Sequence, residues 1–367
     1  MNNFLRYFLI ILGVALLGFL LWYFSSIVAY ILIAGVFALI GRPVVDILSK
    51  ARIWKFKMPR PLSALITLLL LWVVVIGFFR IFIPLIANQA NELSNIDTDL
   101  VIEKLEGPIQ RIEKVYYDYG IGQDSNLSFE DFLNDKVGSI LGISIVSDFF
   151  SYIFSLLGNI FIAIFSISFI LFFFLKDQSM FADSLVLLVP QKHEEAVRKA
   201  LSSTRKLLMR YFIGIGGQII AIIITISIGM TIVGIEFQTA LIIGLIIGLI
   251  NVIPYVGPWI GGAIGIVLGL ATHIHLDFTT ELLPMVGYML LVVLIVQVMD
   301  NIFFQPLIFS SSVKAHPLEI FLVILIAGTL AGITGMILAI PTYTVIRVFA
   351  KEFLNKFRVV QKLTRNI

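Results

Sequence analysis

The sequence predicts an all-α polytopic membrane protein. It has about six to eight membrane segments, two of them broken or re-entrant helical hairpins, and a small external helical cap. Three observations predict this. Apolar residues make up 59% of the 367 and charged residues 13%, with a mean hydropathy of +1.03; a water-soluble domain is nearer half apolar and a quarter charged. Several charge-free runs reach the roughly 20 apolar residues that a bilayer core takes per helix. Two of those runs carry Pro/Gly clusters, at 251–262 and 328–335, and irregular backbone at membrane depth survives only where it is buried in protein or lines a cavity.

The first apolar run, Tyr7–Gly41, is interrupted only by Ser25–Ser26 and reads as two short helices turning near those serines. It resembles a signal peptide, but no small-residue cleavage site follows, so it reads as retained. Leu62–Phe79, continuing past Arg80 to Leu85, is a third span, Phe149–Leu175 a fourth and Tyr211–Ile235 a fifth. Thr239–Ala271, Leu282–Met299 and Ile320–Ile346 follow. Nineteen of the 26 Lys and Arg lie in three connectors, at 41–60, 176–210 and 347–367. The positive-inside rule places all three in the cytoplasm. Segment 84–148 holds twelve acids against four bases, and the order of the spans puts it outside, with both termini inside.

That outer segment has helical spacing at Ile86, Ala90, Leu93 and again at Leu105, Ile109, Ile112, broken by Gly107–Pro108 and Gly120–Ile121–Gly122. Lys192–Arg210 sets Val197, Leu201, Leu207 and Leu208 among basic residues and reads as an amphipathic helix on the inner leaflet. The organisation is therefore scaffold helices at 1–83, an acidic helical cap at 84–148, and membrane helices at 149–235 with the amphipathic helix 192–210. A transport unit at 236–350 contains broken segments 239–271 and 317–347, and a basic tail follows at 351–367.

Thr239–Ala271 would be about 50 Å long as one helix, too long for one span and too short for two. Its middle reads Asn251-Val-Ile-Pro254-Tyr255-Val-Gly257-Pro258-Trp259-Ile-Gly261-Gly262, which no lipid-facing helix continues through. The last run repeats the layout, with arms Pro317–Ala327 and Met336–Arg347 around a soft middle containing Gly328, Gly332 and Gly335. The connector 271–281 has no Lys or Arg, whereas 306–316 has Lys314, which favours hairpins over full spans. Gly244/Gly248, Gly261/Gly265/Gly269 and Gly328/Gly332 recur every four residues and permit close helix packing. Two interrupted segments flanking one span are a pointer to a transport site.

Few polar groups lie in the apolar runs. Gln297, Asp300 and Asn301 fall at i, i+3, i+4, which is one face of a regular helix, and Gln305 is near. A carboxylate inside the membrane is costly and points to function: it could carry a proton or coordinate Na⁺ with amide oxygens, or it could anchor a span end. Gln218 follows Gly214-Ile-Gly216-Gly217, whose glycines would admit a close neighbour. Asn251, Pro254, Tyr255, Gly257 and Pro258 mark the first tip, where Tyr255 and Trp259 could stack on a ligand or sit at the interface. Glu319 reads as a helix-start carboxylate.

The chain has no cysteine and four histidines, which excludes disulfides and Cys-ligated metals; His273 and His275 lack a third ligand in sequence. No His-Glu-x-x-His, Gly-x-Ser-x-Gly or P-loop pattern occurs. The chain therefore reads as a non-enzyme without a cofactor. Its net charge of +3 gives no nucleic-acid footprint.

Three stretches, Tyr211–Gln218, Asn251–Gly262 and Asp300 through Val313-Lys-Ala-His-Pro-Leu318 to Gly332-Ile-Thr-Gly335 and Pro341, resemble the autoinducer-2 exporter family of bacterial multi-pass membrane proteins. The resemblance implies a secondary transporter in the bacterial inner membrane. Members look like exporters of the quorum-sensing signal autoinducer-2 or like Na⁺(Li⁺)/H⁺ antiporters. It also implies a homo-oligomer, a pentamer being one form. The expected partners are the lipid bilayer and a small solute or ion, with Na⁺ or H⁺ as coupling ion. Two other classes fit the hydropathy: a passive channel, since glycine-rich broken segments also build filters, and an envelope scaffold whose cap binds a partner.

Overall fold

The computed structural model describes residues 12–94, apart from 14, 17, 21, 51 and 54–55, and residues 162–364, apart from 178, 188, 274, 309–314 and 355–356. Residues 95–148 of the expected cap lie outside the described residues, as does most of connector 306–316. In chain order the main helices are α1 (Ser25–Lys50), α2 (Arg60–Ser94), α3 (Ile162–Lys176), α4 (Met180–Leu187) and α5 (Glu194–Val233). Then come α6 (Phe237–Ile250), α7 (Gly257–Thr272), α8 (Leu283–Met299) and α9 (Pro317–Phe353). The protein is an all-α polytopic membrane protein. Among the described residues five helices are long and apolar enough to cross a membrane: α1, α2, α5, α8 with its flanking turns, and α9. Their outer faces carry bare hydrocarbon: Val73 is 70% exposed and Ile232 80%, an arrangement that suits lipid and not water. The basic connector forms a short ribbon, pairing Arg52 with Lys57 and Ile53 with Phe56.

The break expected near Ser25–Ser26 falls at Phe24, a turn residue, and α1 starts at Ser25. The Phe24 N–H donates to the Leu20 carbonyl at 2.9 Å and the Val28 N–H to the Phe24 carbonyl at 3.0 Å. One sequence expectation changes: 192–210 is not a helix of its own. α5 is one helix of 40 residues, about 60 Å long and twice a hydrocarbon core. The helix continues through Tyr211–Gly217, although Gly216–Gly217 is a pair of the kind that marks turns elsewhere. The amphipathic pattern is real: Val197, Ala200, Leu207 and Tyr211 are buried at helical spacing.

The chain divides into two compact units. The first takes residues up to Ile76, Leu156–Phe212 and Val348–Lys362. Its core is Ala34, Ala38, Val45, Ala64, Leu171 and Leu175, so α1, α2 and α3 meet over small side chains. The Trp72 indole N–H donates to Ser168 Oγ at 2.9 Å, satisfying the one polar atom of that ring.

The second unit contains Ile213–Arg347 and the far end of α2. It holds both interrupted segments. α6 and α7 have 14 and 16 residues, about 21 and 24 Å, each short of a hydrocarbon core of about 30 Å. They pack against each other: a Cβ at Gly261 would lie 2.9 Å from the Ile247 backbone, and one at Gly265 2.7 Å from Ile243. The turn between them needs Tyr255 at φ 68°, and it brings Gly257 so close to Ile250 that an added Cβ would overlap the Ile250 carbonyl. Pro258 then starts α7, where proline's missing N–H costs nothing.

α9 is also a hairpin. Its helical geometry fails at Ala331 (φ −140°, ψ 20°) and Gly332 (φ 59°, ψ −144°). The Tyr343 hydroxyl donates to Glu319 Oε2 at 2.9 Å, although 24 residues of straight helix would separate them by about 36 Å. A Cβ on Gly328 would meet Met336 at 2.5 Å, so the arms lie side by side.

The polar connector entering α8 is capped by Asp277. Its Oδ1 accepts from the Thr280 and Thr279 N–H groups at 2.9 and 3.1 Å and from their hydroxyls at 2.8 and 3.0 Å. These bonds, the Thr280 N–H first, hold its carboxyl at about 2, below its ordinary 3.8. A depressed acid stabilises the fold above its unfolded value and loses that contribution as pH falls through its folded value. Asp277→Ala should therefore lower the melting temperature at pH 7, with the deficit shrinking between pH 4 and pH 2. A deficit that does not change with pH would refute the charged cap.

Candidate functional site

Three of the predicted amide side chains, Gln218, Asn251 and Gln305, converge on Asp300. The carboxyl group is 1% exposed. Its Oδ1 accepts from Gln218 Nε2 at 2.6 Å. Its Oδ2 accepts from Gln305 Nε2 at 2.9 Å and from Asn251 Nδ2 at 3.3 Å. Gln218 comes from the middle of α5, Asn251 from the C-cap of α6 at the first hairpin tip, and Asp300 and Gln305 from the segment just after α8. The three amides are themselves buried, at 5 to 8% exposure.

The backbone explains why Gln305 reaches Asp300. At Asp300–Phe304 the helix widens to a π turn. The Gln305 N–H then donates to the Asp300 carbonyl five residues back, and its side chain follows to the carboxylate. Single π turns inside α-helices are frequent at functional sites. Gln297 and Asn301 keep the expected i, i+4 contact, Gln297 Nε2 donating to Asn301 Oδ1 at 3.4 Å on an exposed face. Asp300, expected beside them, is buried among Gln218, Asn251 and Gln305 instead. The helical period alone does not say which residue of a polar face turns inward.

Electrostatically the cluster is incomplete. Among the described residues no Lys, Arg or His forms an ion pair with Asp300. An isolated buried charge costs several kcal/mol, and amide donors offset only part of that. Asn251 Oδ1 is also buried and has no hydrogen-bond partner. The site thus offers a negative charge and a spare oxygen acceptor, which suits a cation or a hydrogen-bond donor.

The remaining predicted residues shape the surroundings. Pro254, Gly257 and Pro258 are buried in the first tip. Tyr255 meets Phe321, on the first arm of α9, edge to face at 5.7 Å between ring centroids, so the two hairpins touch. Trp259 is 61% exposed and faces outward. Gly332 and Gly335 form the turn of the second hairpin. Of the Gly214–Gly217 glycines, only Gly214 has a close neighbour, Ile308 at 2.9 Å from an added Cβ; Gly216 and Gly217 face open space. His273 Nδ1 lies 3.0 Å from both the Gly269 carbonyl and Thr272 Oγ1.

Sequence reasoning missed two polar contacts. Thr239 Oγ1 donates to Gln89 Oε1 at 3.1 Å with both side chains buried, tying the end of α2 to the first hairpin. Glu319 is read from sequence as a helix-start carboxylate, yet it accepts from Tyr343, over whose ring Arg347 sits at 5.5 Å. Glu319, Tyr343 and Arg347 would have been traceable only by folding the 317–347 run on its glycines and matching residues equidistant from the turn.

Comparison with known proteins agrees with this architecture. The family model described as AI-2E family transporter matches residues 9–355. The chain is 30% identical over 359 residues to the Bacillus subtilis (strain 168) protein named "Putative transport protein YueF", covering 94% of this chain and 88% of that one. It is 44% identical over 63 residues to "Putative transport protein YrrI" of the same organism, covering 17% and 18% of the two chains.

Proposed function

The chain belongs to the AI-2E family of transporters, and from that premise we infer a secondary carrier that works by alternating access. The observation that carries the reading is Asp300, a carboxylate only 1% exposed and held by three neutral amides. A proton or a small monovalent cation at this carboxylate supplies the charge that the surrounding side chains do not. A carrier that must be loaded by one or the other before it reorients exchanges them across the membrane, which is Na⁺/H⁺ antiport. The two hairpins, which meet at Tyr255 and Phe321, supply the moving parts. The Lys/Arg-rich connectors support a reading with both termini on the cytoplasmic side of a bacterial cell membrane, and the family resemblance supports a homo-oligomer.

A second reading has one specific support. The Tyr255–Phe321 aromatic pair at the junction of the hairpins suits the stacking of a small polar organic solute, as in export of an autoinducer-2-like signal. Flux in proteoliposomes separates the readings. Antiport requires that an imposed pH gradient drive ²²Na⁺ uptake and that a Na⁺ gradient move protons the other way. Solute efflux without either coupling selects the second reading. Steady single-channel currents would overturn both.

A further inference from the structure

We propose that Asn251 is a switching ligand that reports to the first hairpin whether Asp300 carries a cation. The proposal rests on the coupling role inferred for Asp300. Three observations carry it. Asn251 Nδ2 makes the longest of the three bonds to the carboxylate, 3.3 Å against 2.6 and 2.9 Å. Its Oδ1 is buried with no partner, an expensive state for an amide oxygen. It is the C-cap residue of α6, so movement of its side chain acts where the hairpin turns.

With the carboxylate empty, the amide must present its N–H to the negative charge, and Oδ1 is stranded. Rotating the amide by half a turn would satisfy nothing, because two oxygens would then face each other. A cation lying between them reverses the preference: Oδ1 becomes a ligand, and the stranded acceptor is satisfied together with the unpaired charge. Gln218 and Gln305 bind the carboxylate at short distance and stay as they are. Loading therefore draws the tip of the first hairpin onto the π turn, while an empty site holds it by one long bond. The ligand class is a dehydrated monovalent cation of Na⁺ or Li⁺ size, which prefers hard oxygen donors.

The test is the half-saturating Na⁺ concentration for proton-coupled flux of the full-length protein in proteoliposomes, using NaCl as the probe. Asn251→Leu removes the oxygen and should raise that concentration at least tenfold. Asn251→Asp restores an oxygen while abolishing the N–H donor, and it should return the value to within threefold of wild type. If Asn251 merely donates to Asp300, Asn251→Asp places two like charges together and must be worse than Asn251→Leu; that ordering overturns the proposal. Asp300→Asn controls for the parent reading. Should Asp300→Asn keep Na⁺-dependent flux, the coupling role itself is wrong. Should it lose that flux while Asn251→Asp is no better than Asn251→Leu, only the switch is wrong.

Discussion

Asp300→Asn is expected to abolish coupled transport, with flux falling roughly 100-fold or more, while the protein still inserts and folds. Removing one partner from a buried charged pair costs about 3–5 kcal/mol, and each 1.4 kcal/mol is a factor of about ten in an equilibrium constant. The lost partner here is the one that a bound cation would face. The fold tolerates the change because asparagine keeps the shape and one acceptor oxygen, so Gln218 retains a partner for its 2.6 Å bond. Asp300→Ala is the harsher variant, since it strands three buried amides. If coupled flux of Asp300→Asn in proteoliposomes stays within twofold of wild type, the carboxylate is an anchor for the span end and not a coupling group.

The second large effect separates glycines that look alike in sequence. Gly257→Ala would push a methyl group into the Ile250 carbonyl; overpacking against well-packed atoms costs about 1–3 kcal/mol, and backbone gives way less than a side chain does. Gly332→Ala meets no atom within 4 Å, yet φ 59° with ψ −144° is a conformation essentially confined to glycine, costing other residues of order 1–3 kcal/mol. Both substitutions should lower the melting temperature in detergent and reduce flux. Gly216→Ala and Gly217→Ala should do neither, for both sites are open helix positions where alanine is preferred by roughly 0.5–1 kcal/mol. Equal tolerance at all four positions would mean that the tips are not built as described.

These contrasts show what a sequence can reveal in this class of protein. Among the described residues the main spans and the two interruptions are legible because lipid leaves few choices: a run of about 20 apolar residues is a helix, and the first interrupted run leaves helix between Ile250 and Gly257, at Asn251-Val-Ile-Pro254. The pairing of hairpin arms is half-legible, since Gly332 marks a turn but only the Tyr343–Glu319 bond fixes the alignment. The polar cluster is legible residue by residue but not as a set. Gln218, Asn251 and Asp300 are far apart in the chain, and nothing in their spacing says that they meet. Gln297 and Asn301 mislead because they bond to each other on an exposed face while Asp300 is buried, and a shared helix face does not say which of its residues turns inward. α5 misleads in the opposite way: a change of character at Tyr211, from basic amphipathic to apolar, reads as a helix boundary, whereas the helix continues past it.

The claim beneath all of this is that two interrupted segments meet at their hairpins and must move for cargo to cross. Because the chain has no cysteine, Tyr255→Cys and Phe321→Cys can be placed together and bridged with a short reducible bis-thiol reagent. The account predicts that the bridge forms within one chain, halts flux in proteoliposomes, and releases it on reduction. A pair that will not bridge, or a bridged carrier running at full rate, would contradict it.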